Sequence, residues 1–248
     1  MLFLAAASRI IAAAFLLLSV KCRESSAFVA TTQSASTTRR PFRQIMSALP
    51  TADQVSTDDF MKQLGHASQI IPILHPDDEG GLSDDESAEV LQLLTKQFAH
   101  SDGIRGFFAV YLTSPESLNT DEVPSVLAKA VKGSDMKVMV PLACMNVIMP
   151  TAMKSIHQDE ELKECASQTA QNGLKILRLL KGDRDVIDNC HAIYQVASNE
   201  EVEEGDDLVE YWDTFFTNYK YGELILSDVW ENHDIMPQLE TASRTCEC

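Results

Sequence analysis

Residues 159–182 read DEELKECASQTAQNGLKILRLLKG, and this stretch decides the fold. Asp159, Glu160 and Glu161 lead it, while Lys175, Arg178 and Lys181 crowd its end. Acids near the amino end and cations near the carboxyl end oppose the helix dipole with the right signs. Gly182 then supplies a stop. Between the ends, Leu162, Ala166, Thr169, Ala170, Gly173, Leu177 and Leu180 fall on one face. The small residues in its middle let a neighbouring helix come close.

The same pattern extends in both directions. Downstream, residues 185–197 place Val186, Cys190, Ile193, Tyr194 and Ala197 in helical register. After an acid run from Glu200 to Asp207, Leu208, Tyr211, Trp212, Phe215 and Tyr219 predict an aromatic helix that continues or bends through Leu224 to Trp230. Upstream, residues 136–157 are apolar and Met-rich but carry Pro141 and Pro150, which predicts a kinked helix or two pieces. Pro124 and Gly133 bracket a short helix over 124–132. Residues 103–112 hold the densest apolar run and lack a decisive period. Helix is preferred over buried strand because no partner strand is visible elsewhere.

The clearest helix start is Ser83-Asp84-Asp85-Glu86, a capping box in which serine and glutamate satisfy each other's orphan amides. Behind it Val90, Leu91, Leu94 and Phe98 form a stripe reaching toward His100. A loop over 72–81 precedes it, and a short helix is expected over 57–65. Ten glycines in the whole chain leave few for a turn-rich β fold. The expected class is therefore all-α, one multi-helix domain over 83–232. It follows a linker with a short helix over 51–82 and precedes a flexible tail over 233–248.

The first fifty residues read as an address. Arg9 precedes the apolar run Ile10–Val20, and Ser25-Ser26-Ala27 offers small residues for cleavage. Residues 1–27 are thus read as a signal peptide, with an uncleaved anchor as the alternative. From Phe28 to Ala52 there is no acid; hydroxylated residues mix with Arg39, Arg40 and Arg43. Such a cationic segment stays unfolded for import, so residues 28–50 are read as a transit peptide. The junction Ser26-Ala27-Phe28 resembles the bipartite presequences of diatoms and related algae. That resemblance implies the plastid stroma, reached through the secretory pathway; plain secretion is the alternative.

Of 20 basic and 37 acidic side chains, six basic residues and one acidic residue (Glu24) fall in residues 1–49. The remainder carries 14 basic and 36 acidic groups, a formal charge near −22. Such a surface repels nucleic acid and anionic lipid, so neither is expected as a partner. It suits a protein partner with a basic face. Five cysteines follow residue 49, at irregular spacing, which is not the framework of a disulfide-rich secreted domain. Cys144, Cys165 and Cys190 lie in apolar helical patterns and are expected to pack as small core residues.

The sequence carries few chemical motifs. No phosphate loop, dinucleotide fingerprint, nucleophile elbow or His-Glu-x-x-His occurs. A helical di-metal site needs Glu three residues before His. Only Asp188 with His191 approximates that spacing, which makes this pair the metal candidate. Cys246 and Cys248, one residue apart at the terminus, are candidates for soft-metal binding or redox response, with Arg244 alone nearby to favour a thiolate. No cofactor is specified.

Around Asp102–Thr113, the run Arg105-Gly106-Phe107-Phe108-Ala109-Val110-Tyr111-Leu112-Thr113 resembles a stretch in small helical proteins of cyanobacteria and plastids with no assigned activity. The resemblance spans roughly residues 90–181. It implies an all-α fold and a photosynthetic setting, and it carries over no catalytic residue. Arg105, a cation beside an aromatic run, is the candidate ligand-binding residue: it pairs with an acid of a neighbouring helix or contacts an anionic ligand. The functional expectation is a plastid protein-binding or assembly factor. The alternative is an enzyme or cofactor binder with a site assembled between helices from Arg105, His157, Asp188 and His191.

Overall fold

The computed structural model describes residues 49–75, 81–118, 120, 122–197 and 206–219. Among the described residues there are ten helices and no strand, so the chain is all-α. Residues 1–48, which hold nearly all of the expected presequence, and residues 76–80, 198–205 and 220–248 lie outside the described residues. These residues fall into two compact groups, 49–139 and 140–219.

The first group contains α1 (Ala52–Thr57), α2 (Phe60–Leu74), α3 (Asp84–Gln97), α4 (Ser101–Tyr111), α5 (Pro115–Leu118) and α6 (Ser125–Lys132). The Ser83–Glu86 capping box forms as expected, and a second one, Thr51–Gln54, opens α1. Residues 101–111, the ambiguous apolar run, are helix. α3 packs against α1, α4 and α6, and α2 lies along α4. Phe98, Phe107, Phe108 and Tyr111 make a continuous aromatic core, with Phe98 and Phe107 edge to face at 5.1 Å.

Two sequence expectations fail here. The helix expected to end at Gly65 runs on to Leu74, through Pro72. A glycine stops a helix when it takes a left-handed conformation. Beyond Gly65, however, Ala67, Ile70, Ile71 and Leu74 continue the buried stripe of Phe60 and Gln63. Burial of that stripe outweighs glycine's cost of about 1 kcal/mol. On α3 the buried residues are Val90, Leu93, Leu94 and Gln97, so Leu93 replaces Leu91 on the stripe.

The second group contains most of α7 (Met136–Ile156), with α8 (Glu160–Leu179), α9 (Arg184–Ala197) and α10 (Asp207–Tyr219). Asp159 caps α8, accepting from the Glu161 and Leu162 amides, and Gly182 follows it at φ 87°. α7 is one helix despite Pro141 and Pro150. Pro150 has no amide proton, so the Asn146 carbonyl one turn back loses its helical donor. That carbonyl faces Gly173 of α8, where a Cβ would lie only 2.6 Å from it. The small-residue face of α8 thus permits the close approach its sequence suggests. By length and composition alone, α7 also qualifies as a membrane span. Its residues Val140, Ala143, Cys144, Val147, Ile148 and Ala152 are buried in protein, as in a core helix.

α9 and α10 pack together around Trp212, which is fully buried. Its indole Nε1–H donates to Asn189 Oδ1 at 3.0 Å, and Asn189 Nδ2 donates to the Asp185 carbonyl at 2.8 Å. The inward stripe of α10 is Val209, Trp212, Phe215 and Phe216. Tyr194, expected on the inner face of α9, is instead among the exposed large apolar residues. Cys165 departs from the core expectation too: it is only partly buried, and it is disulfide-bonded.

Candidate functional site

The first group concentrates polar side chains where α1, α2, α3 and α4 meet. α1 is short, and its last carbonyls lack intrahelical donors. Gln63 of α2, wholly buried, answers them: its Nε2 donates to Val55 O at 2.8 Å and to Asp58 O at 3.1 Å. His100 Nε2 contacts the same Val55 carbonyl at 2.8 Å, while its Nδ1 accepts from the Gly103 amide at 3.3 Å, capping α4. An acceptor at Nδ1 places the proton on Nε2, so the ring is a neutral Nε2–H tautomer here. Gln97 Nε2 then donates to Gln63 Oε1 at 3.0 Å. Gly106 makes room for this network, since a side chain there would collide with Gln63.

Beside it, Asp58 accepts from Lys62 Nζ and His66 Nε2, both at 2.9 Å. The Lys62 hydrogen bond, then that of His66, holds the Asp58 carboxyl below the usual carboxylate range. The hydrogen bond to Asp58 in turn raises Lys62. Burial pushes the Tyr111 phenol up. Asp58, Lys62 and His66 satisfy one another and tie the end of α1 to α2.

Beside this network, side-chain atoms of Gln97 and Arg105 remain unanswered. Gln97 Oε1 is buried without a partner, and so are Nε and Nη2 of Arg105. Turning the Gln97 amide over would set oxygen against oxygen at Gln63, so the orphan oxygen is fixed by the network. Arg105 projects from α4 with 12 % of its side chain exposed. Its Nη1 reaches Asp102 Oδ1 at 3.4 Å, and its Cζ stands 5.3 Å from the centre of the Phe60 ring. The acid it meets is therefore on its own helix, one turn back.

The remaining candidates lie in the second group. Asp188 forms an ion pair with Arg184, Nε to Oδ1 at 2.9 Å. His191 is exposed on α9, and His157 is partly buried just beyond α7. Among the described residues no three His, Cys, Asp or Glu side chains come together to hold a metal. Cys246 and Cys248 lie outside the described residues. Cys144 and Cys190 are buried free thiols that hydrogen-bond to each other. The hydrogen bond with Cys190, together with burial, raises Cys144, and the same bond lowers Cys190.

Sequence reading singled out Arg105 but missed Phe60, Gln63, Gln97 and His100. Contacts such as Gln63 to Gln97 span 34 positions and leave no local period.

A family model described as "Uncharacterised conserved protein UCP020893" matches residues 72–223. The chain belongs to this family. The matched span takes in α3 to α10 and includes Gln97, His100 and Arg105. No curated protein and no solved structure matches the chain.

Proposed function

We propose that this family member is a plastid accessory factor that binds a protein partner through a basic face on that partner. One observation carries the reading: the surplus of acidic over basic groups, with a formal charge of −17 for the whole chain. The helices turn these acids outward in both groups, as at Asp84, Asp85 and Glu89 on α3 and Glu160, Glu161 and Glu164 on α8. Residues 206–219 expose Asp206, Asp207, Glu210 and Asp213 and contain no lysine or arginine. Like charges one helical turn apart destabilise a helix by roughly 0.2–0.5 kcal/mol per pair. A field of one sign steers a partner of opposite sign and rejects polyanions. The acid-free, hydroxylated segment 28–50 supports the plastid destination, as does the likeness to cyanobacterial and plastid proteins.

The test is capture from plastid extract on the immobilised full chain. Bound protein is expected to be basic, released by high salt, and lost when Asp206, Asp207, Glu210 and Asp213 are all changed to their amides. Retention through both changes refutes the reading. Residues 1–50 fused to a fluorescent reporter are expected in plastids, and export of the reporter refutes the address.

A further inference from the structure

We propose that Arg105 binds an oxyanion, a carboxylate or a phosphate group, in two-pronged fashion through one edge of its guanidinium. The inference rests on local geometry and stands whether or not the partner reading holds.

Guanidinium carries five N–H donors in a rigid plane. Covalent geometry sets the Nε–H beside one N–H of Nη2, parallel and pointing the same way. Those two hydrogens form a fork whose spacing matches two oxygens of a carboxylate or phosphate. In Arg105 the two nitrogens of that fork, Nε and Nη2, are the buried atoms that have no acceptor. Nη1, at the other corner, is the nitrogen that meets Asp102. The unanswered donors are therefore one complete recognition edge.

Arginine cannot escape this by losing its proton. A buried charged donor without an acceptor costs more than the ~1–3 kcal/mol typical of a neutral group. The edge is also held in direction. Phe60 is 6 % exposed and lies against the cation, and Gly106, the next residue on α4, packs on the immobilised Gln63. The 3.4 Å contact to Asp102 is long for a charge-assisted hydrogen bond, and Asp102 is 41 % exposed. Asp102 therefore neutralises the cation only in part. The chain's negative field is screened over about 8 Å at physiological salt, so a directly contacting oxyanion feels chiefly the guanidinium.

The experiment titrates the full chain with inorganic phosphate and, separately, acetate at constant ionic strength set by chloride. Arg105→Lys and Arg105→Gln variants run beside it. Saturable binding of either anion is expected by calorimetry. Phosphate alone points to a phosphorylated ligand, and acetate alone to a carboxylate. Arg105→Lys keeps a charge but has no fork, so affinity should fall about tenfold or more, as with Arg105→Gln. Absence of saturable binding by both anions overturns the proposal, and so does undiminished affinity in Arg105→Lys. Should the variants lose their helical circular dichroism, the Arg105 Nε–H resonance of the unaltered chain decides. A saturable shift with anion supports the site, and an unmoved resonance refutes it.

Discussion

Gly65 and Gly106 lie in helices of the same group, and replacing each by alanine should move stability in opposite directions. In a helix interior alanine is favoured over glycine by about 0.8–1.0 kcal/mol. At Gly65 of α2 an added Cβ meets nothing within 4 Å. Gly65→Ala should therefore stabilise by roughly 0.5–1 kcal/mol. At Gly106 of α4 the same atom would strike Gln63 Cβ and lie 3.1 Å from its carbonyl carbon and 3.3 Å from its Cα. These are main-chain atoms or atoms next to the main chain. The residue is also pinned by hydrogen bonds to Val55, Asp58 and Gln97. α2 and α4 must then separate, at the ~1–3 kcal/mol typical of overpacking. The clash offsets or outweighs the propensity gain, leaving Gly106→Ala less stable by up to about 2 kcal/mol. Urea unfolding followed by helical circular dichroism reads both variants against the parent. At about 2–4 °C per kcal/mol for a chain of this size, melting should fall by up to roughly 8 °C for Gly106→Ala. A Gly106→Ala protein as stable as Gly65→Ala would refute the close packing of α2 on α4.

Three further outcomes follow from the same structure. Asn189→Ala removes the acceptor of the buried Trp212 indole, and should cost about 1–3 kcal/mol of stability by urea titration; a cost near zero would show that the indole finds another acceptor. Gln97→Met deletes the orphan Oε1 but also leaves Gln63 Oε1 without its donor, so it should be destabilising by about 1–2 kcal/mol; a stabilised variant would show that the Gln63–Gln97 bond contributes nothing. Asp58 is held below its unfolded value of about 3.9, so its contribution is present above that pH and fades as pH falls through the lower folded value. The stability gap between parent and Asp58→Asn should accordingly be widest near neutrality and close on acidification. A gap that widens in acid would reverse the assigned sign.

The sequence by itself determined the fold class and most helix positions. Capping at Ser83, the charge gradient along 159–181 and the stop at Gly182 are local signals, because a helix satisfies its amides within a few residues. It also determined the charge that argues for a basic partner, since composition needs no coordinates. It misjudged Gly65, where a local stop signal competes with burial of Ile70, Ile71 and Leu74, and it left one helix or two open around Pro150, whose freed carbonyl faces Gly173 on another helix. Arg105 stood out in sequence only as a cation beside aromatics. That its fork edge is the part left without an acceptor, and that Phe60 fixes its plane, depended on residues 45 positions apart meeting. Tertiary structure alone decides such matters, because desolvation and hydrogen-bond partnership are properties of neighbours in space, and neighbours from separate helices leave no period in the chain.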